Sequence, residues 1–508
     1  MLKAKKIITL PFLMFFILLL LFIGNYSLKV NAAEITDECR LKLSENGEVL
    51  NWSSAGLTDG KYTTYTSFKK ENVLNIKSDT PIFSVYIIWN TVPGEWTYEV
   101  SGNEYTVGKH GFLHEFVNVF NDVGQGVNEI DIIMPKDISI CEIYFFSEGD
   151  IPDWVQIWQP PCEKADIMLL STHSDDEQLF FAGLLPYYAG EVGAAVQVVY
   201  LTNHWDTQNR PHEQINGLWT VGVKNYPIVG HFPDDVDTLS KSGESVQETL
   251  DRVLAGKYDE TGTWNEANLI EFQVEMIRRF KPQVIVAHDI NGEYQHGAHI
   301  ANTDTMMKAL APAADATQYT EIADLYGVWN VPKVYIHLYE ENPIEMNWDI
   351  PLESFGGKTA FEVSKEGYGC HYSQHWTWFT RWLNNGTKDE NASPVSKASE
   401  FTMYSPCKFG LYRSLVGNDT KADFLDNIVM YKDQKNENIK EDEPLKEDEN
   451  NNVNSGNLEE NGTNFEKNTQ KDGFTSLQKI VFYCIITGII IIILITTTVL
   501  INKRMRKR

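Results

Sequence analysis

Ala165-Asp166-Ile167-Met168-Leu169-Leu170-Ser171-Thr172-His173-Ser174-Asp175-Asp176-Glu177 opens on an apolar run and closes on one imidazole and three carboxylates. The apolar run reads as a strand buried on both faces, as in a parallel sheet. Residues 178–185 follow with helical spacing. The ionisable cluster therefore sits where a strand gives way to a helix, and in open α/β sheets that edge is where ligands bind. A histidine with several acids there points to a divalent-metal hydrolase. Such a site needs a few protein ligands, an open position for water and a base to take the water's proton. Neighbouring carboxylates on a turn point in different directions, so one can face the metal and another the water.

The same pattern continues downstream. Between residues 164 and 432, apolar strands (196–202, 284–287 and within 331–337) alternate with helical segments (214–223, 269–280). Alternation of this kind predicts βαβ units and a Rossmann-like parallel sheet. The 284–287 strand runs into His288-Asp289-Ile290-Asn291-Gly292-Glu293-Tyr294-Gln295-His296-Gly297-Ala298-His299, and a helix over 300–310 follows. His296 and His299, three apart at a helix start, lie on one face. Two clusters at equivalent strand ends make one site.

The chain of 508 residues is too long for one ordinary domain. Its 70 acidic against 43 basic residues leave a net charge of -27, which argues against a nucleic-acid partner. Lys3, Lys5 and Lys6 precede an apolar run and then Val30-Asn31-Ala32-Ala33, the pattern of a signal peptide over 1–33. Residues 480–501 form an apolar run of about the ~20 residues that cross a bilayer. Lys503, Arg504, Arg506, Lys507 and Arg508 follow. This predicts a C-terminal transmembrane helix with a basic cytoplasmic tail over 502–508. The expectation is a single-pass cell-membrane protein, anchored by that helix, with its catalytic part extracellular. Residues 433–475, rich in Asn, Glu, Lys and Asp, read as a disordered acidic stalk. No cysteine spacing suggests a zinc knot. An outward compartment permits disulfides, and Cys39 with Cys141 and Cys370 with Cys407 are the pairings to test.

Residues 34–160 carry short alternating runs, such as Trp96-Thr97-Tyr98-Glu99-Val100, broken by turns. That predicts an all-β sandwich. Leu57-Thr58-Asp59-Gly60-Lys61-Tyr62-Thr63-Thr64 resembles the early turn of discoidin-like, galactose-binding-type sandwiches. Ile140-Cys141-Glu142-Ile143 is similar to their closing strand. The resemblance implies a jelly-roll carbohydrate-binding module, with a structural Ca2+ near the Asp59 turn. Trp89 and Trp96 read as core residues rather than platforms for sugar rings.

His173-Ser174-Asp175-Asp176-Glu177 resembles the (A/P)HPDDE motif of the LmbE-like, or PIG-L, de-N-acetylase family. Gly292-Glu293-Tyr294-Gln295-His296-Gly297-Ala298-His299 is similar to its GxxxHxDH motif. Arg210-Pro211-His212-Glu213 and Cys370-His371-Tyr372-Ser373-Gln374 look like two further elements. The resemblance implies one Zn2+ held by His173, Asp176 and His299, with Asp175 as general base. It also implies that His296 stabilises the oxyanion and that Tyr294, a mobile tyrosine, assists. Glu177 supports the ligands from behind, and Arg210 contacts substrate. The implied reaction is hydrolysis of an N-acetyl group from an N-acetylglucosamine-type glycan. Two other readings are an inactive surface carbohydrate-binding adhesin and a zinc amidase acting on another amide conjugate.

Two departures from the family pattern matter. Ser174 replaces a proline, which keeps the spacing. Ala298 replaces an aspartate, which removes a carboxylate beside the histidine pair. Asp234, Asp235 and Asp237 compete for a substrate-contacting role. His204, His212, His231, His288, His337, His371 and His375 read as structural or surface residues.

Overall fold

Ten short strands precede residue 150: β1 (Arg40–Glu45), β2 (Glu48–Val49), β3 (Thr66–Phe68), β4 (Val73–Ile82), β5 (Ser84–Trp89), β6 (Trp96–Val100), β7 (Asn103–Val107), β8 (His114–Val117), β9 (Val127–Ile133) and β10 (Ile138–Phe146). They form two antiparallel sheets, ordered β2-β1-β4-β9-β6-β7 and β3-β10-β5-β8. On β6, Trp96, Tyr98 and Val100 point inward while Thr97 and Glu99 do not, as the alternation requires. Trp89 and Trp96 are both buried in the sandwich core. The computed structural model describes residues 31–204, 207–234, 238–256, 262–419 and 421–434.

Seven strands follow: β11 (Ile167–Ser171), β12 (Val196–Asn203), β13 (Ile228–Pro233), β14 (Val284–Ala287), β15 (Lys333–His337), β16 (Pro343–Glu345) and β17 (Lys408–Ser414). Their order is β13-β12-β11-β14-β15-β17-β16. The first five run parallel, and β17 and β16 add an antiparallel edge. Successive residues feed opposite faces. Ile167 and Leu169 join one core, with Val284 and Val286. Met168 and Leu170 join the other, with Ile285 and Ala287. The chain leaves β11 toward β12 and later returns to its other side as β14. That reversal opens a crevice at the strands' carboxyl ends.

The helices that bound the crevice are α1 (Asp176–Leu179), α2 (Arg210–Thr220), α3 (Glu266–Phe280) and α4 (Gly297–Ala313). The helix expected over 178–185 is interrupted. It stops after Leu179, turns at Ala182 (φ 28°), and resumes as a π-helical turn at Leu185–Glu191. The Trp348 ring packs against the break: a Cβ on Gly183 would stand 2.6 Å from it. The break turns Phe180 and Phe181 under the histidines of the crevice, with ring centroids 5.8 Å from His299 and 4.9 Å from His288.

The sandwich is seated on α2. His114 is hydrogen-bonded to His212 at 2.8 Å, Gln156 Nε2 donates to Asn216 Oδ1 at 2.7 Å, and Leu113 N–H donates to the Tyr226 hydroxyl at 2.9 Å.

Several expectations are corrected. The expected fold class ended in a C-terminal transmembrane helix, and a single-pass membrane location rested on it. No helix among the described residues is long and apolar enough to cross a membrane, and residues 480–501 lie outside them. The longest, α4, has 17 residues and carries Asn302, Thr303, Asp304 and Thr305 in its middle, short of the ~20 apolar residues a span needs. The fold class is therefore an antiparallel sandwich followed by a mainly parallel α/β sheet. Most of the expected signal peptide and stalk also lies outside the described residues. Residues 31–33 are described: Asn31 bridges Asp150 and Ala32 is buried. The proposed disulfides do not form, since Cys39, Cys141, Cys162, Cys370 and Cys407 are all thiols. At the Asp59 turn the carboxylate accepts from Lys61 N–H and the Thr64 hydroxyl. Among the described residues no set of three metal-binding side chains gathers there.

One buried acid gives the sandwich a pH signature. Glu115 accepts from the indole N–H groups of Trp96 (2.7 Å) and Trp89 (3.3 Å). Burial pushes its carboxyl up from 4.5 to about 7, against the pull of those donors. Between these values the folded chain keeps a proton that the unfolded chain has released, so stability falls as pH rises through that window. Glu115→Gln keeps an acceptor and removes the ionisation. Its melting temperature should gain on the wild type between about pH 4.5 and pH 8, followed by circular dichroism. A gap that does not change with pH would show that Glu115 does not titrate there.

Candidate metal centre

The site is built from the loops after β11 and β14. After Ser171 the backbone N–H of Thr172 donates to His288 Nε2 at 3.1 Å, which ties the two loops together. Asp176 then folds back on the chain: its Oδ2 accepts from the backbone N–H of His173 at 2.7 Å. The same oxygen lies 3.1 Å from His173 Nδ1 and 3.2 Å from His299 Nε2. His173 Nδ1 and His299 Nε2 are 3.1 Å apart. Three donor atoms thus form a nearly equilateral triangle. Tetrahedral zinc with bonds of ~2.0–2.1 Å has ligand–ligand edges of ~3.3 Å. The triangle has the size and chemistry of one face of such a tetrahedron.

Two overlapping sets of donors gather around His299: His173 with His296, and Asp176 with His288. The hydrogen bonds decide between their members. His288 gives Nδ1–H to Glu293 Oε2 at 2.8 Å, and its Nε2 lone pair receives Thr172 N–H. Neither nitrogen is left for a metal. His296 Nδ1 accepts from Ala298 N–H at 3.2 Å, so its proton is on Nε2 and it faces the site as a donor. Its ring lies 4.5 Å from that of His173 and 4.6 Å from that of His299. His299 gives Nδ1–H to Glu293 Oε2 at 2.7 Å, which leaves the Nε2 lone pair pointing into the triangle. His173, Asp176 and His299 are the set whose donor atoms can converge on one ion.

Glu293 was not singled out from the sequence. Its Oε2 accepts from His288 and His299, and its Oε1 accepts from His337 Nδ1 (2.6 Å) and Asp289 N–H (3.2 Å). Burial opposes its charge, but the three imidazoles hold its carboxyl well below the usual range. A carboxylate behind a metal-binding histidine fixes its tautomer and raises its basicity. Ala298, where that acid was expected, is fully buried among apolar side chains. Glu293 does the work from five residues upstream. Gly292 (φ 67°) makes the approach possible, because a Cβ there would stand 2.6 Å from His296 O.

The other predicted residues surround the triangle. Asp175 sits at φ 140°, ψ -24°, a strained conformation for a residue with a Cβ. Its backbone N–H is held by Glu177 Oε2 at 3.0 Å. Asp175 Oδ2 is buried and makes no hydrogen bond among the described residues. Burial pushes this carboxyl up to about 8, against the pull of Arg210. Arg210 donates to Ser174 O (2.9 Å) and Asp234 Oδ2 (3.2 Å), and lies 3.7 Å from Asp175. Of the three competing acids, Asp234 reaches the site, 3.5 Å from His173 Nε2 and 3.3 Å from His204 Nδ1. Asp235 and Asp237 lie outside the described residues. Tyr294 (φ 47°) is half-buried, its ring 5.4 Å from His296.

Four histidines read as structural or surface belong to this network. His288 and His337 bind Glu293, His204 binds Asp234, and His371 lies 3.5 Å from Glu177. The two lesser sequence elements also meet: Glu213 accepts from the Ser373 hydroxyl at 2.6 Å and from its N–H at 3.0 Å.

Residues 168–310 match the family described as PIG-L: GlcNAc-PI de-N-acetylase, and they carry a domain of that type. The chain is 27% identical over 186 residues to 1D-myo-inositol 2-acetamido-2-deoxy-alpha-D-glucopyranoside deacetylase 2 of Saccharopolyspora erythraea, covering 33% of this chain and 63% of that protein. It is thus similar to less than two thirds of that relative's length. A Rhodococcus erythropolis deacetylase of the same name is 26% identical over 213 residues, covering 36% of this chain and 68% of its own. Among solved structures, N,N'-diacetylchitobiose deacetylase from Pyrococcus horikoshii is similar at 13% identity and a TM-score of 0.31, over 44% of this chain and 78% of that one.

Metal content tests the triangle directly. His299→Ala and Asp176→Asn should each leave the purified full chain without stoichiometric divalent metal by elemental analysis. Glu293→Gln should keep the three ligands but weaken metal affinity about 10–100-fold in chelator competition. Wild-type affinity in Glu293→Gln would show that the carboxylate does not orient His299.

Proposed function

We propose that this chain is a zinc-dependent hydrolase that removes N-acetyl groups from amino sugars, with His173, Asp176 and His299 as ligands. The observation that carries the reading is the triangle of donor atoms with the unpartnered Asp175 carboxylate oxygen beside it. The deacetylase names of the relatives support the amino-sugar substrate. The sandwich over residues 34–160 belongs to the same proposal as a carbohydrate-binding module of discoidin-like type.

Zinc, when bound, would supply Lewis-acid polarisation of the acetamide carbonyl and of a water. Asp175 accepts the water's proton at Oδ2. A carboxyl raised by burial is a strong enough base for this and a strong enough acid to return the proton to the departing amine nitrogen. His296 presents Nε2–H to the developing oxyanion, because Ala298 N–H occupies its other nitrogen. Tyr294 closes the same side. Arg210 and Asp234 bind sugar hydroxyls, and Glu177 holds the Asp175 backbone in its strained turn. Water adds across the amide C–N bond, giving one free amino sugar and one acetate.

The zinc-loaded full chain should release acetate from N-acetylglucosamine oligosaccharides. Asp175→Ala should lower that release by about 10²–10⁴-fold with metal content intact. Undiminished release in this variant would remove Asp175 from the chemistry. A zinc-loaded wild type that frees no acetate from any N-acetylated sugar would end the reading.

A further inference from the structure

A lysine lies over the aromatic side chains that flank the metal centre. The helix Trp378–Asn385 ends at Gly386 (φ 67°), whose N–H returns to Trp382 O at 2.8 Å. Two residues on, the Lys388 ammonium lies 3.9 Å from the centre of the Trp378 ring, 5.5 Å from that of Tyr404 and 5.6 Å from that of Tyr294. All three fall within the ~6 Å over which an aromatic face attracts a cation. The acids beside it in the chain are engaged elsewhere. Asp389 accepts from Asn391 N–H at 2.9 Å, and Glu390 pairs with Arg381. Burial holds the Lys388 pKa below the ordinary 10.5, with no carboxylate among the described residues to draw it back up.

Tyr294 is a residue that needs such a hold. Its backbone (φ 47°) and that of Gln295 (φ 60°) are both left-handed, a conformation that is strained in residues with a Cβ and persists only where the surroundings enforce it. The Tyr294 hydroxyl has no hydrogen-bond partner among the described residues, so its position is not fixed through that end. The ring is placed by its neighbours: the centroids of Trp378, Phe379, His296 and His299 lie 5.4, 5.6, 5.4 and 5.6 Å away. Apolar contact is non-directional. A point charge shared with Trp378 and Tyr404 adds an attraction with a fixed origin, and it ties Tyr294 to the two rings beside it.

We propose that Lys388 is a positioning residue for the reaction: its ammonium, shared by Trp378, Tyr404 and Tyr294, pins the Tyr294 ring beside His296, so that the free hydroxyl meets the acetamide from one place. Lys388 acts through Tyr294 and transfers no proton itself. The inference rests on the deacetylase reading for its connection to turnover.

The test is a double-mutant cycle on acetate release from N-acetylglucosamine oligosaccharides by the zinc-loaded full chain. Lys388→Met keeps most of the stem and removes the charge. It should lower kcat about tenfold with KM changed by less than about twofold, and Lys388→Arg should restore most of the loss. In a Tyr294→Phe background, which lacks the hydroxyl, Lys388→Met should cost nothing further. A Lys388→Met loss that persists in full in the Tyr294→Phe chain, a loss that Lys388→Arg does not restore, or no loss at all overturns the proposal and leaves the deacetylase reading standing. A second measurement needs no substrate: fluorine NMR of the full chain with a ring-fluorinated tyrosine in place of Tyr294. The chain with Lys388 should give one narrow resonance, and Lys388→Met a broadened or a second one. In a chain that frees no acetate, that contrast supports the pin and fails the deacetylase reading alone, whereas identical spectra overturn the pin.

Discussion

The Glu293 carboxylate is the constraint on which the site depends. Removing a charge from water costs several kcal/mol unless its lone pairs are satisfied. Glu293 fills all four acceptor positions, three with imidazole N–H groups and one with a backbone N–H. Each bond fixes a different element. His288 stands just past β14 and binds the β11 loop through Thr172, while His337 ends β15 and is hydrogen-bonded through Nε2 to Ser405 O at 2.9 Å. His299 lies on α4, one turn in. A network satisfied to this degree has one arrangement, and it leaves His299 Nε2 as the lone pair that faces Asp176.

Helix α2 distributes the remaining parts. Four consecutive directions around its first two turns meet four structures. Arg210 reaches the Ser174 and Asp234 oxygens. Glu213 holds Ser373, and Gly217 allows His371 close, where a Cβ would meet its Nε2 at 2.8 Å. His212 and Asn216 bond to the sandwich, and Pro211, Gln214 and Ile215 line a cavity between the sandwich and the α/β sheet. A shift of this helix would therefore move the seam with the sandwich and the guanidinium beside Asp175 together.

Much of this was legible in the chain because burial leaves a period. The strands at 284–287 and 196–202 and the alternating runs of the sandwich appear where the pattern places them. His173, Asp176 and His299, which the family resemblance implied as ligands, lie together around one point. Glu293 was in plain view between Gly292 and Tyr294, yet nothing in its spacing marks it. Its partners stand up to 44 positions away, as His337 does, and a periodicity carries no information about such pairings. For the same reason His204, His288, His337 and His371 could not be told from surface histidines. The helix expected through 178–185 is broken beside Gly183, where the Trp348 ring, far downstream in the chain, packs closely. The end segments gave the strongest composition signals, and most of their length lies outside the described residues.

The two roles proposed for Asp175 and Asp176 have a counterpart in the backbone. In a regular helix start, adjacent side chains diverge by about 100°, which would turn one carboxylate away from the site. Here Asp175 takes φ 140° instead, at a cost of about 1–3 kcal/mol. Glu177 offsets it by accepting the Asp175 N–H, and Arg210 does so by binding the preceding carbonyl of Ser174. Asp176 then folds inward onto His173 N–H, while Asp175 keeps an oxygen without a hydrogen-bond partner among the described residues. Under the proposed mechanism, strain that surrounding hydrogen bonds maintain at Asp175, and not at Asp176, is what would separate a base from a ligand in a sequence where both are aspartate.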